Sequence, residues 1–187
     1  MADYAARKGL HYEPDADERW MRAWEPYATV KVPARYEHAF QATWESSSMT
    51  LARMVTSTDP PTREASTWIA IVQDVRIDAA AAATCDTGRV FAEPLNLVTM
   101  VRQSTGDRVF DSVFATFAPN AESLARAIGP SLRKLVLGWR IPLHFELRKG
   151  GFVIVPVALA PDVDGLSWLV RAVHLFGEKA TKHHASG

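Results

Sequence analysis

The chain has 187 residues, 48% of them apolar, enough for one domain with its own core and too many for a wholly disordered chain. Twenty-one basic residues balance twenty-one acidic ones, which argues against a nucleic-acid binder that draws its affinity from a basic excess. A single cysteine, Cys85, permits neither an intrachain disulfide nor a cysteine-rich zinc site.

Residues 1–14 are mostly polar and read as a flexible segment without the apolar run of a secretory signal. Residues 15–27 suit a short helix, with Asp15 and Asp17 at capping positions and Trp20 and Trp24 one turn apart on one face. That face either docks on the core or grips a partner. Val30 and Val32 then open a β pattern that Pro33 limits. Over 37–45, His38, Phe40, Ala42 and Trp44 alternate with polar residues, Ser46-Ser47 turns the chain, and Met49, Leu51 and Val55 line a return strand. Pro60-Pro61 marks a loop, because adjacent prolines donate nothing to a ladder. Residues 68–77 form the longest β-branched run, apolar on both faces at its start, and read as a central strand.

The Ala-rich stretch 79–88 reads as a loop or a single helical turn. Residues 95–101 and 109–117 read as strands around a Thr105-Gly106-Asp107 turn, the second carrying Asp111. Asn120 is placed to cap a helix whose apolar stripe is Leu124, Ile128, Leu132 and Leu135. Gly129-Pro130 should kink that helix or split it in two, and Gly138 should cap its end. Strict alternation over 141–148 sets Ile141, Leu143, Phe145 and Leu147 against His144, Glu146 and Arg148. Gly150-Gly151 suits a tight hairpin, with both glycines free to take positive φ, and 152–157 returns. A final helix covers 163–179. Strands joined by short turns and helices kept apart from them predict an α+β fold. The expected form is a mostly antiparallel sheet, a kinked helix, and a long C-terminal helix packed on one face, within one domain over 15–181 and followed by a flexible tail over 182–187.

Motifs for phosphate, dinucleotide, serine-hydrolase and zinc-protease chemistry are missing. No neighbouring base or helix N-terminus in the sequence would activate Cys85 as a nucleophile, so it reads as a small packed residue. His38, His144 and Asp111 lie on predicted strands and are the candidates for a ligand or acid–base site, if the fold gathers them. No metal or other cofactor is indicated. Arg126, Arg133, Lys134, Arg140, Arg148 and Lys149 read as ordinary surface charge, since Glu122 and Glu146 are interspersed.

The last helix is the most informative segment. Leu166, Leu169, Val170, Val173 and Phe176 make one apolar face, and Trp168, Ala172 and Leu175 make a second. That is wider than a surface helix needs, so the helix is either deeply buried or shared with another chain. Trp168, Ala172 and Leu175, with Trp20 and Trp24, are therefore the candidate interface.

Phe110-Asp111 with Phe114, the leucines over 124–137, Phe145-Glu146-Leu147-Arg148, and the apolar run over 166–176 together resemble the end of an uncharacterised bacterial domain family. The resemblance covers about half of the chain and implies a similarity of fold without an activity. Relatives of that kind often carry membrane helices, and no apolar run here is that long. The sequence thus points to a cytoplasmic, non-enzymatic interaction or assembly subunit with a protein partner or a second copy of itself. The alternative is a small-molecule binder or enzyme built on His38, His144 and Asp111.

Overall fold

The structure, a computed structural model, describes residues 1–15, 26–27, 29–44, 47–57, 64–85, 100–157 and 159–182. The proposed helix bearing Trp20 and Trp24, the Pro60-Pro61 loop, most of the strand expected over 95–101 and the tail beyond 182 lie outside the described residues.

Among the described residues, nine strands form one antiparallel sheet. They are β1 (His11–Asp15), β2 (Arg35–Trp44), β3 (Ser47–Ser57), β4 (Glu64–Asp74), β5 (Ala81–Thr84), β6 (Val101–Gln103), β7 (Ala115–Ala118), β8 (Leu143–Arg148) and β9 (Gly151–Pro156). Their order is β1-β2-β3-β4-β9-β8-β5-β7-β6. The helices are α1 (Ala2–Lys8), α2 (Arg108–Val113), α3 (Ala121–Ala127), α4 (Pro130–Trp139) and α5 (Val163–Lys182). The class is α+β, and the long C-terminal helix packs on one face of the sheet, against β4 and α4.

That face holds the larger core. Phe40, Leu51, Trp68, Phe145, Phe152 and Ile154 meet Leu166, Leu169, Val173 and Phe176 of α5, all buried. Phe176 sits at its centre, with its ring 5.2 Å from that of Phe145 and 4.8 Å from that of Phe152. On the opposite face Tyr36, Ala39, Met54, Ile69, Ile71, Val153 and Val155 pack with Tyr27 and Val30.

Several expectations hold because their signals are local. The Asn120 side chain accepts from the Ser123 N–H, and the helix splits at Gly129-Pro130 into α3 and α4, with proline at the first turn of α4. Others need correction. Residues 1–15 are ordered as α1 and β1, because Tyr4 and Ala5 are buried and β1 pairs with β2. The Ala-rich stretch supplies β5, where small side chains fit between β8 and β7 with all four residues buried. Residues 108–113 are helical, since the Asp107 carboxylate accepts from the Val109 and Phe110 N–H groups; Asp111 therefore lies on a helix, not on a strand. At the end of α4 the left-handed cap is Arg140, at φ 54°, two residues beyond the expected Gly138. In the β8–β9 hairpin only Gly150 has positive φ, at 89°. Gly151 is required for a different reason: a Cβ there would collide with the Val72 carbonyl oxygen on β4.

Candidate functional site

The most unusual chemistry lies on the second face, beneath residues 26–30. The alternation of β8 sends Leu143, Phe145 and Leu147 toward the α5 core and His144 and Glu146 the other way. Pro26, Tyr27, Thr29 and Val30 lie over this side of the sheet. The Arg148 guanidinium lies 5.6 Å over the Tyr27 ring and donates to the Pro26 carbonyl, while the Tyr27 hydroxyl donates to the Val72 carbonyl at 3.3 Å. Burial drives the Tyr27 pKa up, against the opposing pull of Arg148.

Thr29 is the junction. Its backbone N–H donates to Glu146 Oε2 at 3.0 Å, and its hydroxyl donates to the same oxygen at 2.5 Å. His144 Nε2 lies 2.7 Å from that hydroxyl. A hydroxyl has one proton, so the consistent arrangement is a neutral imidazole with Nε2–H donating to Thr29 Oγ1. This leaves His144 Nδ1 as a bare acceptor, buried and with no hydrogen-bond partner among the described residues. Burial pushes the His144 pKa down to about 3, so the ring stays neutral at ordinary pH. A His–Thr–Glu chain has the groups for proton transfer, but each residue is at most 2% exposed. With the segment 26–30 in place, no substrate reaches it. What the network does is hold that segment against the sheet.

The three residues nominated for a ligand site are not brought together. His38 sits on β2 and His144 on β8, four strand spacings apart in the sheet order and hence roughly 19 Å apart. His38 occupies a β-bulge at φ 50°, and its Nδ1 lies 2.8 Å from the Tyr12 hydroxyl. Asp111 closes the loop before α2, accepting from the hydroxyls of Ser104 and Thr105, both at 2.7 Å. Burial works against its ionisation, yet those bonds and the backbone N–H groups of Thr105 and Gly106 outweigh burial and hold its pKa below the usual range.

The three α5 residues nominated for an interface divide. Trp168 is half-buried, with its ring 5.4 Å from that of Trp139 on α4, and Ala172 is buried beside it. Leu175 alone opens to solvent, at 43% exposure. It belongs to an exposed stripe with Arg171, His174 and Glu178. The sequence reading passed over Trp44, at the tip of the β2–β3 hairpin. Its indole is 39% exposed and meets the His174 ring edge-on at 4.9 Å. Between this hairpin and α5 lies an open cleft of about 700 Å³, floored by Val72, Phe152 and Val173 and rimmed by Trp44, His174 and Glu178. Asp74 and Arg76 stand at its other edge as a bidentate pair, with contacts of 2.9 and 2.6 Å. The hydrogen bonds from Arg76 hold the Asp74 pKa below the usual range. Among the described residues no three His, Cys, Asp or Glu side chains cluster as metal ligands do, and no helix is long and apolar enough to cross a membrane.

No protein-family model matches the chain, and no curated protein sequence does. The fold is similar to that in the crystal structure of the mycobacterial trehalose monomycolate transport factor A, TtfA. The TM-score is 0.64, with 8% sequence identity over 94% of this chain and 89% of that one. At that identity the likeness is one of fold.

Proposed function

We propose that this chain is a non-enzymatic accessory subunit that works by holding a protein partner against the surface formed by Trp44, His174 and Leu175. The observation that carries the reading is that surface: an aromatic ring and a leucine, both exposed beside an open cleft and edged by Arg171, Arg76 and Glu178. Anchors of this kind within a polar rim are where binding energy concentrates in interfaces. Two further observations support it. The catalytic-looking constellation among the described residues, Thr29–His144–Glu146, is sealed from solvent. The similar fold is that of a protein described as a transport factor. A lone reduced thiol, Cys85, suits a cytoplasmic setting.

The test is co-purification of tagged wild type, Trp44→Ala and Leu175→Asp, each checked for folding by circular dichroism. A stoichiometric partner, or a second copy of this chain, should be retained by wild type and weakened at least about tenfold in either variant. Wild type that elutes alone and monomeric, or variants that retain the partner fully, would defeat the reading.

A further inference from the structure

A second open cleft shares no described residue with the Trp44 cleft. It lies between the end of α2, the end of α4 and the connection into β8, and has a volume of about 430 Å³. That is within the range of about 300–1,000 Å³ typical of small-molecule sites. Its wall is apolar, from Val113, Phe114, Val136, Leu137, Ile141 and Pro142. Among the described residues, Arg140 is the one charged side chain that lines it.

The position of Arg140 follows from the backbone. It caps α4 in the left-handed region, which turns the chain sharply into Ile141 and Pro142. Its guanidinium has no ion-pair or hydrogen-bond partner among the described residues. The two acids at α2 are already engaged: Asp107 pairs with Arg133 at 3.3 Å, and Asp111 serves Ser104 and Thr105. Residues 100–142 hold six basic and three acidic side chains in a chain of zero net charge, so the local field favours an anion. Val109 and Val113, four apart on α2 and both exposed, extend the apolar surface out from the mouth.

From this we infer a binding site for a long-chain carboxylate, with one acyl chain in the apolar cavity and its head group on Arg140. An unpaired cation at the mouth of an apolar pocket matches an amphiphile with one chain and one anionic head. A purely apolar ligand would leave the guanidinium unused. The inference goes beyond the partner-binding reading and stands or falls separately from it.

The experiment is calorimetric titration of the full chain with laurate, myristate, palmitate and methyl palmitate below their micellar concentrations. Affinity should rise about fourfold per added methylene until the chain outgrows the cavity. Arg140→Asn, a residue that accepts the left-handed backbone, should weaken carboxylate binding about tenfold and leave the methyl ester unchanged. Val113→Glu, at an exposed position that tolerates charge, should abolish both. Cys85 lines the same cavity and is the only cysteine in the chain, so bound palmitate should also slow its alkylation. Absence of binding by any fatty acid, equal carboxylate affinity in wild type and Arg140→Asn, or binding to anionic vesicles alone would each overturn the inference.

Discussion

Beneath α5 the sheet presents Phe145, Leu147 and Phe152 to Phe176, whereas the opposite side of the same strand, β8, presents His144 and Glu146 to Thr29. The first region is held by area removed from water, which any well-shaped apolar set supplies. The second is held by directed hydrogen bonds among groups that cost free energy to bury, and one acceptor, His144 Nδ1, has no partner among the described residues. The contrast teaches that the two faces should fail differently. The helix side should respond to lost volume, and the Thr29 side to lost protons or partners.

Phe176→Ala should show the largest effect, a loss of about 3–5 kcal/mol in urea unfolding, since three aromatic neighbours would face a cavity. A cost below about 1 kcal/mol would mean that α5 is not the main buttress of the sheet. Mild acid should act first on the other face. Between pH 6.5 and 5 the unfolded chain takes up a proton at His144 that the native state refuses. Stability should therefore fall with pH, by about 2 kcal/mol at pH 5. Asp74 and Asp111 both have lowered pKa values, so their ionised forms persist in the native state through that window and their contribution is lost only at lower pH. In His144→Leu this portion of the pH dependence should vanish; an unchanged profile would contradict the burial assigned to the ring.

Thr29→Val keeps the backbone N–H but deletes the hydroxyl that joins His144 to Glu146, and should cost about 1–2 kcal/mol. The smallest effect is expected at Leu175→Asp, within about 0.5 kcal/mol of wild type, because that side chain already faces water. A large loss there would make Leu175 part of the core and remove it from the proposed surface.

The same contrast explains what was legible in the sequence. The α5 face announces itself through Leu166, Leu169, Val173 and Phe176 at helical spacing, and β8 through strict alternation. The split at Gly129-Pro130 and the Asn120 cap are equally local. Residues 108–113 read as strand because Val109, Phe110 and Val113 favour strands; the Asp107 cap, visible in sequence, outweighs that preference. The alanines of β5 carry almost no β signal, and their pairing is decided by β8 and β7. The Thr29 junction joins residues 115 and 117 positions apart, and no periodicity marks it. The Trp44–His174 contact is likewise made only by the fold, so the sequence signals the exposed Leu175 on α5 but not its hairpin neighbour Trp44.

The most direct test of the partner-binding claim is site-specific photo-crosslinking in cells, with a photoreactive side chain at position 175 and, as a control, at the exposed position of Glu122. The account predicts one discrete adduct from position 175, either to another protein or to a second copy of this chain, and none from position 122. No adduct at 175, or the same adducts from both positions, would contradict it.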